Sequence, residues 1–420
     1  MVQQHTLNNG LRIIMVPVQT FQSVSVGIMV KIGSRYESAT EAGMCHFIEH
    51  MLFKGTRQRP TPRLIAEAIE GIGGVSNAYT SQENTVYYAK VAATQLDIAI
   101  DFLADMVRHP LLRESDIDKE RLVIGEEINM VYDMPDTWVS IVADDLLWPQ
   151  HPLGQNIAGT HESLAGISRE TLLPFFERSY HPQNMLVAVG GAFEPDAVVA
   201  QIDALLGDWP AAEPPAFAAA PPPPTAPRCR IEPRPIEQGH LCLTMPALSR
   251  TDPNRYALSV LNTILGDGMS SRLFQNIREE LGLTYAIDSG LNLLQDTGAL
   301  TVYAGVDPDR ATEALQAVLA ELDSLRQTPV PADELGRAKE YLKGRMVLGL
   351  EDSYSRAAWV AYQALFLDEI KTPEEVLAAY SAITAEDVLA VAQQVLNPQR
   401  YTLAAIGPFE PDNHLAALIC

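Results

Sequence analysis

The sequence predicts an α+β protein in which one fold occurs twice, each copy a largely antiparallel mixed sheet with helices packed on one face. Three observations predict it. Segments with the two-residue period of strands come in groups between segments with helical period, rather than in strict strand–helix alternation. A pattern in the first half returns in the second. A stretch rich in proline and alanine divides the chain near its middle.

Taken in order, Ser23 to Lys31 (SVSVGIMVK) alternates and is rich in valine, which marks a strand. Segments 41–53, 62–72, 94–108 and 114–132 carry the helical spacing of apolar residues. Asn77 to Tyr88 and Met185 to Val189 read as strand. From Trp209 to Pro227 the chain runs WPAAEPPAFAAAPPPPTAP, which has no strand or helix period and favours extended polyproline conformations. It separates a first domain, 1–208, from a second, 231–420, with 209–230 as linker. His181 to Asp196 and Asn397 to Asp412 share eight of sixteen positions at an offset of 216, ending in the same Phe-Glu-Pro-Asp. Upstream, Ile167-Ser168 pairs with Ile383-Thr384, each Ser or Thr placed to cap the helix that follows. At an offset of 209, Arg63, Leu64 and Gly73 pair with Arg272, Leu273 and Gly282. Duplication explains both.

A chain of 420 residues fits two or three domains of ~150 residues, each able to bury a core. With 53 acidic against 30 basic side chains the net charge is −23, a field that repels phosphate. Nucleic acid and anionic membrane surfaces are therefore poor partners, while cationic substrates are attracted. The N-terminus lacks the basic and apolar regions of a secretory signal, and no run of ~18 apolar residues could span a bilayer. Cys45, Cys229, Cys242 and Cys420 are scattered without CxxC spacing, as free thiols of a reducing compartment would be. The expected location is the cytoplasm.

One motif carries chemistry. In AGMCHFIEHMLF, His46 and His50 lie one helical turn apart, so both imidazoles leave one face and can reach one cation. Glu49 lies on a neighbouring line, close enough to touch a water on that cation. Zinc suits imidazole nitrogen and keeps an open position when catalytic. His-x-x-Glu-His, the inverse of His-Glu-x-x-His, arises by chance in roughly 0.01 such chains, so coincidence is a weak account. The plainer reading is a helix with two surface histidines and a solvated glutamate. In segment 114–132, Glu120 and Glu127 are seven apart and share a helix face, whereas Glu126 points elsewhere. A carboxylate from that face would complete a His₂Glu site; taken alone, the pair also fits an ordinary solvated face.

HFIEH followed after 76 residues by Glu127 resembles the signature of the pitrilysin-type (M16) metallopeptidases, among them mitochondrial processing peptidase and insulin-degrading enzyme. SRYESATEAGMCHFIEHMLFKGT, GVSNAYTSQENTVYY and SRLFQNIREELGLTYA extend the likeness over essentially the whole chain. The resemblance implies the metallohydrolase fold of the processing peptidases, with His46, His50 and Glu127 as zinc ligands, one zinc per chain. Glu49 is implied as general base toward the zinc-bound water, and Glu120 as the carboxylate that orients a ligand histidine. Asn77 and Ala78 match the edge strand on which such enzymes lay a peptide as an added strand. Without the likeness Asn77 reads as a turn residue after Gly73-Gly74.

Nothing in the second half matches His-x-x-Glu-His; the paired positions hold residues such as Asn262, Leu265 and Gly266. That half does hold Arg278 and Tyr285, which resemble the family's pair for substrate binding and oxyanion support. Alone they read as a helix-end arginine and a half-buried strand tyrosine. The long glycine-rich loop of the noncatalytic processing-peptidase subunit is absent, GDGMSSR being the nearest stretch, which weakens any case for presequence processing. The expected function is zinc-dependent endopeptidase action on peptides or unfolded segments, by a homodimer or a self-sufficient monomer. The alternatives are a structural subunit of the same fold, or the catalytic half of a heterodimer.

Overall fold

The computed structural model describes residues 2–367, 369–410 and 414–419. The chain forms two compact units. One holds the chain up to Asn129 together with Asn156–Ala218 and Leu348–Ile370; the other holds Met130–Gln155, Ala219–Val347 and the chain from Lys371.

The first unit is built on strands β1 (Gln3–Thr6), β2 (Arg12–Pro17), β3 (Ser23–Val30), β4 (Val75–Thr80), β5 (Thr85–Ala92) and β6 (Met185–Gly191). They form one sheet in the order β1-β2-β6-β3-β5-β4, antiparallel except for β2 beside β6. In the second unit β7 (Arg228–Pro233), β8 (Gly239–Ala247), β9 (Thr284–Leu293), β10 (Gly298–Val306) and β11 (Thr402–Gly407) run in the order β7-β11-β8-β10-β9. Here the one parallel pair is β7 with β11. Setting β2, β6, β3, β5 and β4 against β7, β11, β8, β10 and β9 makes the two ladders identical, so the repeat in the sequence is a repeat of topology. The capping residues match as well. Ser168 and Thr384 each accept from the third backbone N–H of the following helix within a capping box. Of the repeat segment 397–412, Pro411 and Asp412 lie outside the described residues, as does Cys420. Cys45 and Cys242 are buried free thiols.

Helices α1 (Met44–Leu52), α2 (Pro62–Glu70), α3 (Leu96–Arg108) and α4 (Glu114–Tyr132) stand where the periodicity places them, within three residues at each end. On β6, Met185, Val187 and Val189 face the core under α1 and α3, while Leu186 and Ala188 face the opposite side. That opposite side is covered too, which differs from the expectation of helices on one face only. The helix Ser353–Phe366 lays Ala357, Val360, Ala361, Leu365 and Phe366 against Ile14, Val16, Met29, Leu186 and Ala188. In the second unit α5 (Pro135–Leu147) lays Val139, Val142, Ala143 and Leu146 against Cys242, Ala404 and Ile406. Sheets buried on both faces explain why MLVAVGG is buried at all seven positions.

The division of the chain therefore differs from a cut at the linker. Residues 210–227 do lack helix and strand. Yet α5, from the first half of the sequence, belongs to the second unit, and Ser353–Phe366, from the second half, belongs to the first. Local periodicity carries no information about which sheet an apolar helix face will meet. Likewise Asn77 to Tyr88 is a hairpin and not one strand. Ser81 Oγ binds Asn84 Oδ1 at 2.8 Å and accepts from Asn84 N at 3.1 Å, closing a tight turn between β4 and β5.

Candidate metal centre

Helix α1 starts abruptly. Gly43 precedes it with φ 91°, a conformation that suits glycine, and offers no side-chain cap. Buried Glu37 supplies the missing acceptor: Gly43 N donates to its Oε2 at 2.9 Å and Cys45 N to its Oε1 at 2.7 Å. Burial pushes the Glu37 carboxyl up to about 7, and these backbone donors pull it partly back. Cys45, Phe47, Ile48, Met51 and Leu52 pack into the core, which leaves His46, Glu49 and His50 on the half-buried face.

Helix α4 brings a carboxylate to that face. Glu127 Oε1 stands 3.7 Å from His46 Nε2, and its Oε2 stands 3.7 Å from His50 Nε2. The rings of His46 and His50 meet edge to face at 4.6 Å. Tetrahedral zinc with bonds near 2.0–2.1 Å sets its donors about 3.3 Å apart, so a contraction of a few tenths of an ångström would close this set on an ion. Among the described residues, His46, His50 and Glu127 are the one group of three such donors within 4.8 Å of one another. Burial, followed by the neighbouring His50, pushes His46 down to about 4, so its imidazole is neutral and its lone pair available at neutral pH. The donor set fits zinc.

The remaining predicted residues fall around it. Glu120 Oε2 lies 3.1 Å from His50 Nδ1, and its Oε1 takes Lys54 Nζ at 2.7 Å. Burial raises the Glu120 carboxyl, but the contacts with His50 and Lys54 outweigh it and hold the group below its ordinary range. A carboxylate on Nδ1 favours the tautomer whose Nε2 is turned, unprotonated, toward Glu127. Glu49 accepts from Thr80 Oγ1 at 2.6 Å. Its carboxyl is raised by burial, a shift that Thr80 and His50 oppose and Glu127 adds to.

Asn77 and Ala78 lie on β4, which pairs with β5 on one side and ends the sheet on the other. Asn77 Oδ1 accepts from Ala78 N at 2.8 Å. In the second unit, Arg278 sits on Leu273–Glu280, a π-helical segment, and its guanidinium lies 5.1 Å from the Tyr285 ring and 4.4 Å from that of Phe274. Tyr285, expected to be half-buried if it had no special role, is 79% exposed. Sequence reasoning missed Lys54, Thr80, Glu37 and the π-helix. Lys54 had a weak signal, four residues after His50 and just beyond the end of α1; the others depend on contacts between separate elements.

The structure is thus a duplicated α+β fold with a histidine–carboxylate donor set on two helices. Comparison with known proteins identifies the family. Residues 12–161 match the family model described as insulinase (peptidase family M16), and residues 166–342 match that of the peptidase M16 inactive domain. An "uncharacterized zinc protease" of Streptomyces coelicolor is 37% identical over 97% of this chain and 90% of its own. Among solved structures, a protease from Helicobacter pylori superposes with a TM-score of 0.91 at 23% identity, over 97% of this chain and 99% of the other. A peptidase M16 inactive domain from Pseudomonas fluorescens gives 0.88 at 20% identity, over 98% and 99%. At such identities these two likenesses speak for the fold alone. The chain belongs to peptidase family M16. Among the described residues no helix is long and apolar enough to cross a membrane.

Proposed function

We propose that this chain is a zinc-dependent endopeptidase that cleaves peptides or unfolded polypeptide segments. The observation that carries the reading is the convergence of His46, His50 and Glu127, with Glu49 beside them on the same helix. A complete donor set also argues against the structural-subunit reading. When bound there, zinc would polarise the scissile carbonyl and make a water acidic enough to lose a proton near neutral pH.

Glu49 takes that proton and later passes it to the leaving amine, acting as base and then as acid. Its raised carboxyl suits a group that must hold a proton between the two steps. Glu120 keeps His50 in one orientation, and Lys54 keeps Glu120 charged. The open edge of β4 at Asn77 and Ala78 receives the peptide backbone as a further strand, a mode that reads few side chains. The contact from Ala78 N to Asn77 Oδ1 is the kind of local bond an incoming strand would replace. Arg278 and Tyr285 bind substrate and steady the developing oxyanion, a role supported by their adjacency and by the exposure of Tyr285. One chain carrying both sets is expected to act as a homodimer or alone, which mass in solution and activity of the single chain decide.

The test is Glu49→Gln. The variant should retain zinc by metal analysis and lose at least about 100-fold in turnover of a quenched peptide. Cleavage at the native rate would show that Glu49 is not the base.

A further inference from the structure

Strand β4 alternates in burial, with Val75, Asn77 and Tyr79 exposed and Ser76, Ala78 and Thr80 half-buried. Thr80 is its last residue, paired with Thr85 across the hairpin. Its Oγ1 donates to Glu49 Oε2 at 2.6 Å, the one hydrogen bond that the Glu49 side chain makes among the described residues. A hydroxyl bond to a carboxylate this short is charge-assisted and strong.

Thr80 has one proton, and it points at Glu49. Thr85 has one, and it goes to the carbonyl of Ile32 at 2.9 Å. The 3.4 Å approach between the two threonine hydroxyls is then left without a proton of its own. Glu49 is thus gripped by Thr80, not wired through it to the core. The grip is stiff: Thr80 is β-branched, its backbone is held in the ladder, and the turn beyond it is clamped by Arg35 on Glu83 at 2.7 Å, both buried.

Resting on the reading of Glu49 as general base, we propose that Thr80 is a positioning residue, fixing the Glu49 carboxylate through Oε2 and leaving Oε1 to take the proton. The end of the proposed substrate strand thereby holds the base. Thr80→Val keeps the shape and removes only the donor. It should lower kcat by about 100-fold, the loss typical of a reacting group displaced by an ångström, with KM and zinc content unchanged. Thr80→Ser should recover most of that loss. In crystals of the metal-free Thr80→Val protein, the Glu49 carboxylate should leave its native position, a readout independent of turnover. Native kcat in Thr80→Val, a loss that Thr80→Ser does not recover, or an unmoved Glu49 would each overturn the proposal. Should Glu49→Gln be as active as the native protein, the reading of the base fails instead, and the crystal still decides whether Thr80 holds the side chain.

Discussion

At the scale of single residues, the contact between Glu120 and His50 Nδ1 favours the tautomer whose Nε2 faces Glu127, so on the proposed zinc reading Glu120 helps to set metal affinity without being a ligand. Replacing Glu120 by Ala should weaken zinc binding by about 10–100-fold in a competition with a chelator, with all three ligands still present. His46 carries a pH dependence of its own. Burial holds it near 4 when folded, while the unfolded chain protonates it near ~6.5. Between those values the unfolded state binds the extra proton, so metal-free protein should lose stability as pH falls from ~6.5 toward 4, by about 2–3 kcal/mol at most. His46→Asn should flatten that part of a denaturation profile; an unchanged slope would assign the loss to other groups. Helical spacing put His46, Glu49 and His50 close together on one helix and Glu120 with Glu127 on one face of another, while the choice of Glu127 as the third donor came from the family resemblance. Thr80 was not legible, since a strand threonine acquires meaning only once a particular glutamate lies over it.

At the scale of elements, the position of α1 along its own axis matters as much as its sequence. Periodicity placed a helix at 41–53, yet the first true turn begins at Met44, because Gly43 turns the chain and Ala39–Glu41 forms a separate short turn. What fixes the start is Glu37, whose two backbone bonds no spacing rule could reveal. Glu37→Ala leaves the N–H groups of Gly43 and Cys45, at the start of α1, buried without that acceptor. It should cost about 2 kcal/mol in denaturant unfolding and weaken zinc binding as the histidines lose their setting. Full stability in that variant would mean that water or another carbonyl replaces the carboxylate. The hairpin within 77–88 was hidden for a related reason: Ser81 and Asn84 interrupt a strand pattern with a turn made by their side chains. The π-helical turn at Arg278 left no pattern at all, although such segments recur at functional sites.

At the scale of the whole molecule, duplication was legible and the exchange of helices was not. The repeat residues sit in strands, turns and helix starts, where local sequence shows them, whereas the outer faces of the sheets are closed by helices distant in sequence. Because Ser353–Phe366 covers the outer face of β2, β3, β5 and β6, the first half of the chain lacks part of its own core. A fragment of residues 1–208 would leave Ile14, Val16, Met29, Val86 and Leu186 wet, at about 1.5–3 kcal/mol for each large side chain. That is comparable to the whole stability of a domain. Expressed alone, the fragment should aggregate or bind a hydrophobic dye. Expressed together with residues 209–420 it should be soluble and copurify, since each piece brings the helix the other needs. A monomeric 1–208 fragment with native-like circular dichroism and no dye binding would show that the exchanged helix is dispensable for folding of the first unit.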